Sequence, residues 1–213
     1  MMEYLLTGTL CSELSRPETI FCPSLRGLSA AQADLAFLMP RMDHNRTLRE
    51  TQRGGDWAAI LASDPFGSEA AIFRQLTEMG YLGITNWPSS ILLDGALRQS
   101  MSTIPASPES EYAYLARAQT AGLKAMAFFR SLDQARSALE AGLKTLVLHP
   151  GILNTEDTNA NEMLLGSLSR LVDALREDQR RPIILAYTSV WHECRLSLRN
   201  LPVDGFVCLE AAP

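Results

Sequence analysis

The sequence predicts a single (β/α)8 TIM barrel spanning residues 1–213, and three observations carry the prediction. Short apolar or β-branched runs bounded by turn residues recur along the chain, in the number a barrel needs. Amphipathic helical patterns separate the later runs. Continuous apolar stretches such as Ile183-Ile184-Leu185-Ala186 suit parallel strands covered on both faces.

Taken in order, the expected strands are Thr19–Cys22, Asp34–Met39, Trp57–Ala62, Leu82–Thr85, Lys124–Phe129, Thr145–His149, Pro182–Thr188 and Gly205–Glu210. Between Ser68 and Met79, residues Ala71, Ile72, Leu76 and Met79 share one helical face, and Gly80 stops the helix. Further helices are expected over Pro108–Ala121, Leu132–Ala141 and Asn161–Arg176, with Gly122 and Gly142 ending the first two. Each of these glycines leads directly into the next strand. No helical pattern follows Gly205–Glu210, so the barrel is expected to lack its last helix. The bare flank would then be covered by Met1–Glu13 or by a partner, which favours a homo-oligomer. An open doubly wound sheet is the weaker alternative, because no G-x-G-x-x-G follows any expected strand.

Composition narrows the function. A net charge of -5 argues against a nucleic-acid partner, which calls for a basic face. The basic residues Arg41, Arg46, Arg49 and Arg53 are interrupted by Asp43 and Glu50 and read as a solvated face rather than an anion site. No apolar stretch approaches the ~20 residues of a membrane span, and the N-terminus is a poor secretory signal. The cysteines Cys11, Cys22, Cys194 and Cys208 have no metal-like spacing and read as free thiols, which implies a cytoplasmic protein.

In a parallel barrel the chemistry gathers where strands end, so those residues are the candidates. Asp64, after the third strand, could ligate a divalent cation, act as a base or cap a helix. Asn86 could hold a substrate oxygen or tie down its loop. His149 is the best general acid/base of the three histidines or, failing that, bonds to loop backbone. His44 and His192 sit among polar residues and are expected on the surface. Glu210 could complete a metal site.

These positions also carry a resemblance. Ala62-Ser63-Asp64-Pro65-Phe66, Gly83-Ile84-Thr85-Asn86-Trp87-Pro88, Leu93-Asp94-Gly95 with Arg98-Gln99, Glu111 with Ala118 and Gly122-Leu123, and Leu148-His149-Pro150-Gly151 together resemble the phosphoenolpyruvate hydrolase-like TIM-barrel family. That family is grouped by fold with phosphoenolpyruvate mutase and isocitrate lyase. The resemblance implies Mg2+-assisted hydrolysis or lyase chemistry on a small 2-oxo acid or on an enolpyruvyl or phosphonopyruvate-like compound. It implies Asp64 and Glu111 at the metal, Asn86, Asp94 and Arg98 on the carboxylic-acid substrate, and His149 in proton transfer. The chain departs from the family at Met42–Thr47, Asn154–Asp157, Tyr187-Thr188-Ser189 and Glu210-Ala211-Ala212, where glycine-rich or hydroxyl-bearing motifs are replaced. Lost glycines remove backbone N–H groups able to approach an anion closely. The alternative is therefore a non-catalytic barrel that binds a ligand or a protein. An enzyme requires Asp64, Asn86, Arg98 and His149 to converge in one mouth pocket, whereas a binding barrel tolerates their scatter.

Overall fold

The computed structural model describes residues 1–10, 18–40, 42–153 and 158–210. Eight strands close into one all-parallel barrel in chain order: β1 (Met2–Thr7), β2 (Thr19–Phe21), β3 (Trp57–Ile60), β4 (Gly83–Asn86), β5 (Lys124–Phe129), β6 (Thr145–Leu148), β7 (Ile183–Thr188) and β8 (Gly205–Leu209). Closure is made by β1 against β8, with Met2 through Leu6 paired in register to Gly205 through Leu209. Among the described residues eight α-helices join the strands: α1 (Ala30–Leu38), α2 (His44–Glu50), α3 (Glu69–Glu78), α4 (Gly95–Met101), α5 (Pro108–Thr120), α6 (Leu132–Glu140), α7 (Thr158–Arg176) and α8 (Val190–Leu196). This is the (β/α)8 barrel that the sequence predicts.

Six strands from β3 onward fall where their apolar runs place them, and Gly80, Gly122 and Gly142 end helices with positive φ. The start of the chain differs. Asp34–Met39 is not a strand; most of it lies in α1. Its Leu35-Ala36-Phe37-Leu38 run is short enough to fit either element, and a capping box decides the matter. Ser29 Oγ accepts from the Gln32 N–H while Gln32 Oε1 accepts from the Ser29 N–H, which satisfies two donors at the helix start. The eighth strand is instead the N-terminal run Met2–Thr7, expected only as a flank cover. Residues 211–213, from which the expectation of a missing last helix came, lie outside the described residues, as do Cys11 and Arg41.

α1 does more than connect. One of its faces turns Ala33, Asp34 and Phe37 into the carboxyl end of the barrel, while Leu35 and Met39 point outward at 57% and 73% exposure. There Phe37 joins Trp87 from the end of β4, Phe128 from β5, His149 from the end of β6 and Tyr187 from β7 in one aromatic cluster. The barrel mouth is filled with side chains.

Candidate functional site

The carboxyl end of the barrel divides into a buried mouth and a rim. In the mouth, His149 is fully buried and stacks on Tyr187 with ring centroids 4.8 Å apart. Its Nδ1 accepts the Gly151 N–H at 3.0 Å, while Nε2 has no hydrogen-bond partner among the described residues. Burial, with the nearby His192 and Arg130 adding to it, pushes the imidazole well below its ordinary pKa of 6.5.

Tyr187 donates to Asp34 Oδ1 at 3.2 Å, and the other carboxylate oxygen meets His192 Nε2 at 3.0 Å. His192 Nδ1 in turn lies 2.7 Å from the hydroxyl of Ser189, the N-cap of α8. This chain of contacts fastens α1 to β7 and α8. It also corrects the expectation that His44 and His192 are surface residues: they are 1% and 0% exposed. Polar neighbours in the sequence misled that reading, because both rings are buried against partners distant in sequence. His44 bridges Ser24 and the Ala59 carbonyl, and burial lowers its pKa to about 4.

Beside the mouth lies a second buried network. Glu111 on α5 is fully buried and accepts from Asn86 Nδ2 at 2.9 Å, from the Ser89 hydroxyl and from the Ser90 N–H at 2.8 Å. Asn86 closes the arrangement through Oδ1, which accepts the Phe128 N–H at 2.7 Å. Desolvation raises the Glu111 pKa against these hydrogen bonds. The loop of residues 86–90 is thus tied to both α5 and β5.

The rim is open. A cavity of about 350 Å³ lies between the loop after β4 and the start of α6, lined by Asp94, Arg98, Arg130, Ser131, Gln134 and apolar neighbours. Gln134 braces it, donating to the Ile91 carbonyl at 2.9 Å and accepting the Arg130 N–H at 2.8 Å. Arg98 pairs with Glu109 at 2.9 Å, whereas the Arg130 guanidinium meets no carboxylate among the described residues. Arg130 instead packs over Gly151, where a Cβ would lie 2.5 Å from its Nε. Gly151 also has φ +96°, a backbone conformation that favours glycine.

Asp64 lies elsewhere. It lines a separate cavity of about 340 Å³ beside α2, accepting from Asn45 Nδ2 at 3.0 Å and from the Phe66 N–H at 2.9 Å. It does not cap α3, whose N-cap is Ser68. The structure therefore brings Asn86 to Glu111 and Arg98 to Asp94, but holds these pairs, His149 and Asp64 in four different settings. Glu210 accepts from Thr7 across the β1–β8 seam. Among the described residues no three carboxylate, imidazole or thiol groups gather where one cation could meet them. Glu111 is already held by three donors, so the donor set expected for Mg2+ does not fit.

Sequence reading gives no role to Gln134, Asp34 or Ser189, and places Arg130 and Trp87 at strand ends without a task. For Arg130 a signal existed, since it directly follows a strand. For Asp34 it did not, because its partners lie more than 150 residues away in the chain.

Comparison with known proteins agrees with this architecture. The chain is 29% identical over 167 residues to the uncharacterized protein y4oT of Sinorhizobium fredii, covering 74% of this chain and 85% of that one. It is 27% identical over 139 residues to the ToMV resistance protein Tm-1 of Solanum lycopersicum, covering 62% of this chain but only 18% of that larger protein. A crystal structure of a protein named as a phosphonomutase from Burkholderia cenocepacia superposes with a TM-score of 0.51 over 97% of this chain and 86% of that one; at 13% identity this shows a shared fold. Residues 29–186 match the family model described as phosphoenolpyruvate hydrolase-like, and the chain belongs to that family.

Proposed function

We propose that the barrel acts on a small 2-oxo acid, or on an enolpyruvyl or phosphonopyruvate-like anion, by hydrolysis or lyase chemistry. The anion is held in the rim cavity by Arg98 and Arg130. The observation that carries this reading is the placement of two arginines on one cavity at the carboxyl end of the barrel, with Arg130 in no ion pair among the described residues. A planar guanidinium matches a carboxylate or phosphonate through paired hydrogen bonds. Membership of the phosphoenolpyruvate hydrolase-like family supports the substrate class. His149, linked to Arg130 through Gly151, is the group assigned to assist the reaction.

A second reading keeps the ligand and drops the reaction: a non-catalytic barrel that binds a small acid or a protein. Two observations favour it. α1 fills the mouth, and the four residues that a shared active site would gather are dispersed.

A thermal-shift screen with phosphoenolpyruvate, phosphonopyruvate and pyruvate, with and without Mg2+, tests the first reading. A ligand at about 100 times its Kd adds about 2.7 kcal/mol to stability. The expected result is a shift in the wild type that is absent in Arg130→Ala, together with release of pyruvate or phosphate from the ligand that binds. Binding without turnover moves the assignment to the second reading. Silence across the panel overturns the anion site.

A further inference from the structure

The mouth contains two buried N–H donors that meet no acceptor among the described residues. His149 Nδ1 accepts the Gly151 N–H, so in the neutral ring the proton sits on Nε2, and Nε2 has no partner. Trp87 Nε1, a donor only, is equally unpartnered in a side chain of 0% exposure. Their rings lie 6.0 Å apart in the same aromatic cluster. The hydroxyl of Thr85, two residues before Trp87, is a third unpartnered group. Folded proteins rarely leave buried polar groups unpaired, and two donors in one cluster mark a place where an acceptor belongs.

We infer that His149 Nε2–H and Trp87 Nε1–H together form a donor pair for a ligand oxygen, the carbonyl or enolate oxygen of a small oxo acid. The inference rests on the anion-binding reading for the identity of that ligand, and it assigns His149 a different task. With Nδ1 occupied and Nε2 protonated, the imidazole is an electrophile that hydrogen-bonds developing negative charge rather than a base that removes a proton. Phe37, with its ring 4.5 Å from His149 and 4.3 Å from Trp87, is the side chain that yields when the oxygen arrives. Phe37 is carried by α1, which Asp34 fastens to Tyr187 and His192, so the same helix both covers the donors and is latched beside them.

The test is nitrogen–proton correlation spectroscopy of the indole and imidazole N–H groups of the full chain, titrated with pyruvate, with Trp87→Phe assigning the indole signal. Both signals are expected to move on one saturation curve, and Trp87→Phe is expected to weaken pyruvate binding about ten-fold, the loss of one buried hydrogen bond. If pyruvate binds in an Arg130-dependent manner while both N–H signals stay still, the donor pair is overturned and the rim site stands. If pyruvate does not bind the wild type, Phe37→Ala titrated with acetate decides. Signals that move in that variant sustain the donor pair and sink the rim site; signals that stay still overturn both.

Discussion

The buried mouth and the open rim stand side by side at the same end of the barrel and solve opposite problems. In the mouth, Glu111, Asp34, His192 and His149 are almost fully removed from water, and all but the Nε2 of His149 are held by specific partners. At the rim, Asp94 is exposed, Arg98 is partly paired and Arg130 is in no ion pair among the described residues. A buried charge must have partners, because desolvation penalises it strongly; a rim charge can wait for a ligand, because water solvates it meanwhile. Substitutions at the hydrogen-bonded carboxylates and their partners should therefore act on folding, and substitutions at the rim on binding.

The largest effect is expected at Glu111. Glu111→Leu removes the acceptor for Asn86 Nδ2, the Ser89 hydroxyl and the Ser90 N–H in a site water does not reach. Leaving several buried donors unsatisfied should destabilise the fold by about 3–5 kcal/mol, read from urea unfolding. A loss below about 1 kcal/mol would show that the loop re-forms its hydrogen bonds elsewhere, and the contrast between mouth and rim would fail.

Acid should find the buried histidines next. His44 is lowered from 6.5 to about 4, and His149 is lowered too, each chiefly by burial. A histidine depressed in the folded state binds fewer protons there than in the unfolded chain. Its stability contribution is then complete above pH 6.5 and is lost as pH falls toward the folded value. For His44 that window, from 6.5 to about 4, corresponds to about 3 kcal/mol. Unfolding followed from pH 7 to 4 should show this loss, and His44→Asn should flatten it. A pH-independent stability in the wild type would mean that these rings are hydrated.

Much of this frame is legible in the sequence, and the unread part has a physical cause. The runs from Trp57 onward are bounded by turn residues and separated by helices with a clear apolar face, so period and punctuation agree. Leu35-Ala36-Phe37-Leu38 lacks that agreement: four apolar residues fit a strand or a helix, and only the Ser29/Gln32 box separates the two. Met2–Thr7 carries Glu3 and Tyr4 and looks unlike a buried strand because its first half is in fact exposed. For the site, Asn86, Arg98 and His149 are legible as candidates at or after strand ends, and Glu111 through the family resemblance alone. Their division into buried networks and an open cavity was not, since that depends on partners such as Asp34, which meets Tyr187 and His192 from the far end of the chain.

Gly151 couples the two regions. Its φ of +96° disfavours any side chain, and a Cβ there would collide with the Arg130 guanidinium. Gly151→Ala should destabilise by about 1–2 kcal/mol and also displace Arg130. It should weaken anion binding even though residue 151 does not touch the ligand. Unchanged binding with reduced stability would show that Arg130 finds the anion without that support.

The smallest effect on folding, and the most informative for function, belongs to Arg130→Ala. The side chain is exposed, lies on no ion pair among the described residues and caps nothing, so stability should change by less than about 0.5 kcal/mol. Ligand-induced stabilisation should nevertheless vanish, because Arg98 alone is already shared with Glu109. The opposite pattern, a marked loss of stability with ligand response retained, would make Arg130 a packing residue of the His149-Pro150-Gly151 turn and transfer the anion to another part of the barrel face. Measuring both quantities on one variant separates the roles, since a guanidinium that only packs cannot lose the ligand without losing the fold.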